Sequence, residues 1–72
     1  MEGELQRNFG RNLLAYRKAK GLSQEAFAYT LGFHRTYMGG VERGERNLTL
    51  KSVERIAGRI GEEPLVLLQS PK

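Results

Sequence analysis

Apolar residues recur every three or four positions along this chain, in five blocks set off by glycines or a polar loop. Leu5, Phe9, Leu13 and Tyr16 mark the first block, with Arg7, Arg11 and Lys18 between them on the other side. This spacing predicts an amphipathic helix over about residues 5–19, stopped by Gly21. Ser23 is a good N-cap for a second helix, 24–31, whose inner face carries Phe27, Ala28 and Leu31. Gly32 ends that helix by taking the left-handed conformation that other residues avoid. A third helix follows almost at once, 35–42, burying Met38 and Val41 and ending at Gly44. Residues 45–48 read as a loop. Thr49 can cap a fourth helix over 50–60 with the stripe Leu50, Val53, Ile56, Ala57 and Ile60, closed by Gly61. Pro64 suits the first position of a short fifth helix reaching about residue 69. No segment alternates with period two, so the expected fold class is all-α. A single domain spans 5–69, with tails at 1–4 and 70–72.

Composition narrows what such a domain can do. A chain of 72 residues buries only about 60% of its unfolded surface, so self-association would help to stabilise it. Twelve Lys plus Arg against eight Asp plus Glu leave a formal charge of +4, which suits a polyanionic partner. There is no cysteine, which excludes disulfides, cysteine-based zinc sites and thiol catalysis. No apolar run approaches the roughly 20 residues of a membrane span, and the acidic start Met1-Glu2-Gly3-Glu4 is unlike a signal peptide. A cytoplasmic protein with no membrane partner is therefore expected. His34 is the one histidine, and no paired carboxylates or phosphate loop stand at useful spacing, so neither an enzyme nor a cofactor or metal site is expected.

From Gln24 to Arg43 the chain reads QEAFAYTLGFHRTYMGGVER, which resembles the helix-turn-helix of the Cro and phage-repressor family. Two short helices crossing steeply need apolar facing sides, supplied by Phe27, Leu31, Phe33, Met38 and Val41. A small residue is needed where the backbones approach, and Ala28 stands there; the turn needs a residue tolerant of positive φ, and Gly32 stands there. Two helices joined by glycine could equally be a hairpin inside a core. The outward side of the third helix weighs against that, because His34, Arg35, Thr36, Tyr37 and Arg43 offer donors and planar groups with no internal partner in prospect.

The resemblance implies a compact five-helix, lambda-repressor-like domain whose third helix lies in the major groove of double-stranded DNA. There each base pair presents a distinct pattern of donors, acceptors and methyl groups. Arg35 is the candidate for guanine readout, against the alternative of a phosphate contact. Thr36 is the candidate for a thymine methyl or base acceptor, against a solvent-facing hydroxyl. His34 and Tyr37 are assigned to the sugar-phosphate backbone, His34 with helix capping as its other role. By the same resemblance Gln24 clamps a phosphate at the start of the second helix, with Ser23 beside it. Arg43, Arg46, Asn47 and Lys51 are further backbone candidates, while Arg55 and Arg59 are expected to be solvated. Arg17 and Glu42 fall where the family places a partly buried salt bridge of structural role. Gly39 and Gly40 depart from the family, which usually aims side chains at DNA from these positions. They imply either close backbone approach to DNA or a helix loose until bound.

Leu65, Val66, Leu67 and Leu68 are four consecutive apolar residues on a helix whose core-facing stripe can bury about half of them. They are the candidate interface of a two-fold dimer, which would set two recognition helices about 34 Å apart on a palindromic operator. The alternative is a monomer with the last helix tucked in. The run HRTYMGGVERGERNLTL is similar to controller proteins of restriction-modification systems, regulators that activate or repress; an activator would also touch RNA polymerase. A phage-type repressor, an autoregulating antitoxin, and an interaction module that has lost DNA binding are the competing readings.

Overall fold

The computed structural model describes residues 2–71, and among them five helices and no strand. They are α1 (Glu4–Ala19), α2 (Gln24–Leu31), α3 (Arg35–Glu42), α4 (Leu50–Ile60) and α5 (Pro64–Leu68). Their order, number and type are those read from the periodicity. α1 begins one residue earlier than expected and α5 ends one residue sooner, within the usual uncertainty of helix ends.

Local chemistry sets the boundaries. The Ser23 hydroxyl accepts the Ala26 amide at 3.0 Å, and the Thr49 hydroxyl accepts the Ser52 amide at 3.0 Å, so each side chain satisfies a donor that the first turn leaves orphaned. Gly32, with φ 79°, closes α2 and lets Phe33 donate its amide to the Ala28 carbonyl at 2.8 Å. That conformation costs an L side chain roughly 1–2 kcal/mol, which is why the turn between α2 and α3 is built on glycine.

Phe9 and Leu13 of α1, Phe27, Ala28 and Leu31 of α2, Met38 and Val41 of α3, Val53, Ile56 and Ala57 of α4, and Leu67 of α5 form one core. α1 is the beam against which α3 and α5 lie. Its approach to α3 is so close that a Cβ at Gly10 would sit 2.6 Å from the Glu42 carbonyl oxygen. Only a residue without a side chain permits that contact.

Several expectations from the pattern are corrected here. Leu5 and Leu50 share the period of their helices but are 60% and 78% exposed, because each lies in the first turn of its helix, beyond the reach of the core. Leu67 was grouped with the dimer candidates, yet it is buried at 3% within its own domain. Leu68 packs against the core as well, which leaves Leu65 and Val66, 74% and 47% exposed, as the outward pair of α5.

Candidate nucleic-acid interface

The third helix is held by its two ends. At its start, His34 Nδ1 accepts the Thr36 amide at 3.1 Å, so the imidazole serves as N-cap and its other nitrogen remains as the free donor. At its end, Arg17 of α1 donates through Nε to Glu42 Oε2 at 2.8 Å and through Nη2 to Oε1 at 3.1 Å. This fork binds the last residue of α3 to α1. Arg17 also donates through Nη1 to the Leu22 carbonyl at 3.1 Å, tying the loop before α2 to the same point. Burial of these groups is tolerable because every polar atom in them finds a partner; among the described residues no buried side-chain N or O lacks one.

Between these anchors, Met38 and Val41 face inward while Arg35 and Thr36 are exposed on the first turn. Among the described residues, no hydrogen bond or ion pair engages the Arg35 guanidinium or the Thr36 hydroxyl. Tyr37 is half-buried instead, its ring 5.0 Å from that of Phe33, with the Arg46 guanidinium 5.3 Å above it. Such a cation over an aromatic face is attracted by the ring quadrupole, so Arg46 lies along the helix rather than streaming into solvent.

That placement also answers the question of the two glycines. Both are buried: a Cβ at Gly40 would meet Arg46 Nε at 3.0 Å, and one at Gly39 would meet Arg43 Nη1 at 3.1 Å and Gln24 Oε1 at 3.3 Å. The space of the missing side chains is filled by neighbouring long polar ones, so the backbone at these positions is covered rather than bare. Nor is the helix interrupted: α3 runs through both glycines, Arg43 donates to the Gly39 carbonyl at 3.1 Å, and the Glu45 amide, beyond the helix end, closes on the Gly40 carbonyl at 2.9 Å.

Gln24 occupies the first helical position of α2 but turns its amide inward, donating from Nε2 to Glu42 Oε1 at 2.9 Å. The side chain is therefore committed to the Arg17–Glu42 pair. The backbone amides of Gln24 and Glu25 are the first-turn donors left at this end, since Ser23 already satisfies those of Ala26 and Phe27. Ser23 itself is exposed beside them.

The loop after α3 carries the remaining cations. Arg43 pairs with Glu45 at 3.0 Å in a contact whose two side chains are both 61% exposed, a geometry worth little in water. Gln6 of α1 donates to the Arg46 carbonyl at 2.9 Å and to Asn47 Oδ1 at 2.7 Å, fixing the loop from behind. Nothing in the apolar pattern marked Gln6 for this; a polar residue beside the inner stripe of α1 was its only signal. Lys51 is exposed in the first turn of α4, a position where the helix dipole disfavours a cation. Arg55 and Arg59 are not simply solvated: Arg55 lies 5.2 Å above the Phe33 ring, and Arg59 reaches the Thr30 carbonyl at 3.4 Å. Arg55 thus covers the turn between α2 and α3, and Arg59 reaches the last turn of α2.

An exposed, cationic first turn on a helix braced at both ends, set behind a tight glycine turn, is the arrangement of a helix-turn-helix. Residues 13–67 match the helix-turn-helix family, and the chain belongs to it. Among its curated relatives is the control protein C.BamHI of Bacillus amyloliquefaciens, 39% identical over 61 residues that cover 83% of this chain and 75% of that protein. Two solved structures are similar at comparable identity. The restriction-modification controller protein C.AhdI from Aeromonas hydrophila matches with a TM-score of 0.72 at 45% identity, over 86% of this chain and 90% of that one. The controller C.Esp1396I, solved as a tetramer in complex with its natural 35 base-pair operator, matches with a TM-score of 0.72 at 36% identity, over 88% and 83%.

Proposed function

We propose that the protein is a transcription regulator that binds a two-fold operator in double-stranded DNA as a homodimer, laying α3 in the major groove, in the manner of a restriction-modification controller. The observation that carries this reading is the unpartnered Arg35 and Thr36 pair on the first turn of α3. A guanidinium so placed can meet guanine O6 and N7 with two parallel hydrogen bonds, which is worth about 1–3 kcal/mol of discrimination against another base. Thr36 supplies a methyl and a hydroxyl for the neighbouring step.

Around them, the free ring nitrogen of His34, the Tyr37 hydroxyl, Arg43, Arg46, Asn47 and Lys51 would hold phosphates on either side of the groove, along with Ser23 and the amides at the start of α2. Gln24 contributes through its backbone, its side chain being spent on Glu42. The similarity to C.Esp1396I, whose tetramer is known on operator DNA, supports the assembly as well as the target. Leu65 and Val66 are the surface offered to a second copy. This is the reading of a binding protein rather than an enzyme, working in the cytoplasm on the nucleoid.

Selection of bound duplexes from a random pool tests it directly. A palindromic consensus with half-sites about one helical turn, or a multiple of it, apart is expected. Binding without sequence preference would overturn the regulator reading.

A further inference from the structure

Two asparagines on α1 close on the end of α5. Asn12 donates from Nδ2 to the Leu67 carbonyl at 2.7 Å and to the Gln69 carbonyl at 2.9 Å. One turn earlier on the same face, the buried Asn8 donates from Nδ2 to the Leu68 carbonyl at 3.1 Å. Three consecutive carbonyls at the end of α5 are thus taken by two side chains spaced four apart.

α5 needs this hold. It has five residues, too few for more than about one i→i−4 bond within itself, and its ends are tied by bonds from Val66 and Leu67 to the Glu63 carbonyl, at 3.0 and 3.4 Å, and from Gln69 to Val66 at 3.3 Å. No side chain caps its start. A helix of this length has no stability of its own in water, and the last carbonyls of any helix are left without internal partners. Leu67 plugs α5 into the core and Leu68 packs beside it, but two adjacent apolar contacts leave the helix free to rock about them. The asparagine bonds remove that freedom, and the rotation they fix is the one that decides where Leu65 and Val66 point.

α1 also carries Gln6, which holds Arg46 and Asn47, and Arg17, whose fork holds Glu42 at the end of α3. We infer that Asn12, with Asn8, is a positioning residue for dimerisation: it sets the pose of α5 on α1 and so the placement of the partner's recognition helix relative to this one. This rests on the proposed dimer through α5, and it assigns the geometry of that dimer to side chains outside the interface.

The test uses Asn12→Ala and Asn12→Asp in the full chain. Alanine improves the helix propensity of α1 while removing both donors; aspartate keeps the shape and sets a carboxylate against two carbonyls. Sedimentation across a concentration series reads the dimer constant, circular dichroism reads the fold, and titration of a single half-site and of a full two-fold site reads DNA binding. Both variants are expected to stay helical and to bind a single half-site within about twofold of wild type. Their dimer constants should weaken tenfold or more, Asp further than Ala, with matching loss of cooperativity on the full site. Folded variants that dimerise within twofold of wild type would overturn the inference. So would variants that lose their helical signal, since the clamp would then hold the fold as a whole rather than the pose of one helix. A wild type that stays monomeric at every concentration and on the full site would instead overturn the dimer reading itself.

Discussion

Glu42 receives Arg17 and Gln24 together: the Arg17 fork closes on both carboxylate oxygens at 2.8 and 3.1 Å while Gln24 Nε2 reaches Oε1 at 2.9 Å. One carboxylate thereby joins α1, the start of α2 and the end of α3. Its side chain is 4% exposed and that of Arg17 14%, so removing either charge strands the other away from water. Arg17→Met should cost about 3–5 kcal/mol of unfolding free energy. Replacing both residues with apolar ones should cost less than the sum of the two single changes, and a double-mutant cycle by urea denaturation reads the difference.

Gly10 is predicted to be intolerant of even one methyl group. Its virtual Cβ meets the backbone of α3 rather than a flexible side chain, so relief requires the two helices to separate. Gly10→Ala should destabilise by about 1–3 kcal/mol despite its gain in helix propensity. The melting temperature should fall by about 4–8 °C for each kcal/mol lost.

Arg35→Ala is expected to erase most of the preference for the selected operator while leaving general DNA affinity. Competition between operator and random duplex at fixed salt measures the ratio. A preference that survived the change would move base readout away from Arg35.

Lys51 should act differently, because a phosphate contact carries no sequence information. Lys51→Gln should weaken binding to operator and random DNA alike. It should also reduce the slope of log K against log salt by about 0.9 for each phosphate released. Filter binding between about 50 and 200 mM salt resolves that change.

Leu65 and Leu67 are two residues apart and should fail in opposite ways. Leu67→Ala, in the core, should cost about 2–5 kcal/mol of stability. Leu65→Ser should leave the stability of the monomer nearly unchanged and weaken the dimer, as read by sedimentation and by cooperativity on a two-fold site.

Those two leucines also mark the limit of what pattern can reveal. The chain by itself determined the helices, because apolar period, the caps Ser23 and Thr49, and the turn at Gly32 are local properties that each segment carries wherever it is placed. It also marked the exposed first turn of α3, since Arg35 and Thr36 fall between the positions that a helix of this period must bury. Tertiary structure decided which of Leu65 to Leu68 turn inward, that Arg43, Arg46 and Gln24 lie over Gly39 and Gly40, and that Asn8 and Asn12 seize the end of α5. Each of these depends on the distance between segments far apart in the chain. A polar side chain declares its range of partners in its chemistry, but only the packing of α1 against α3 and α5 brings one of them within reach.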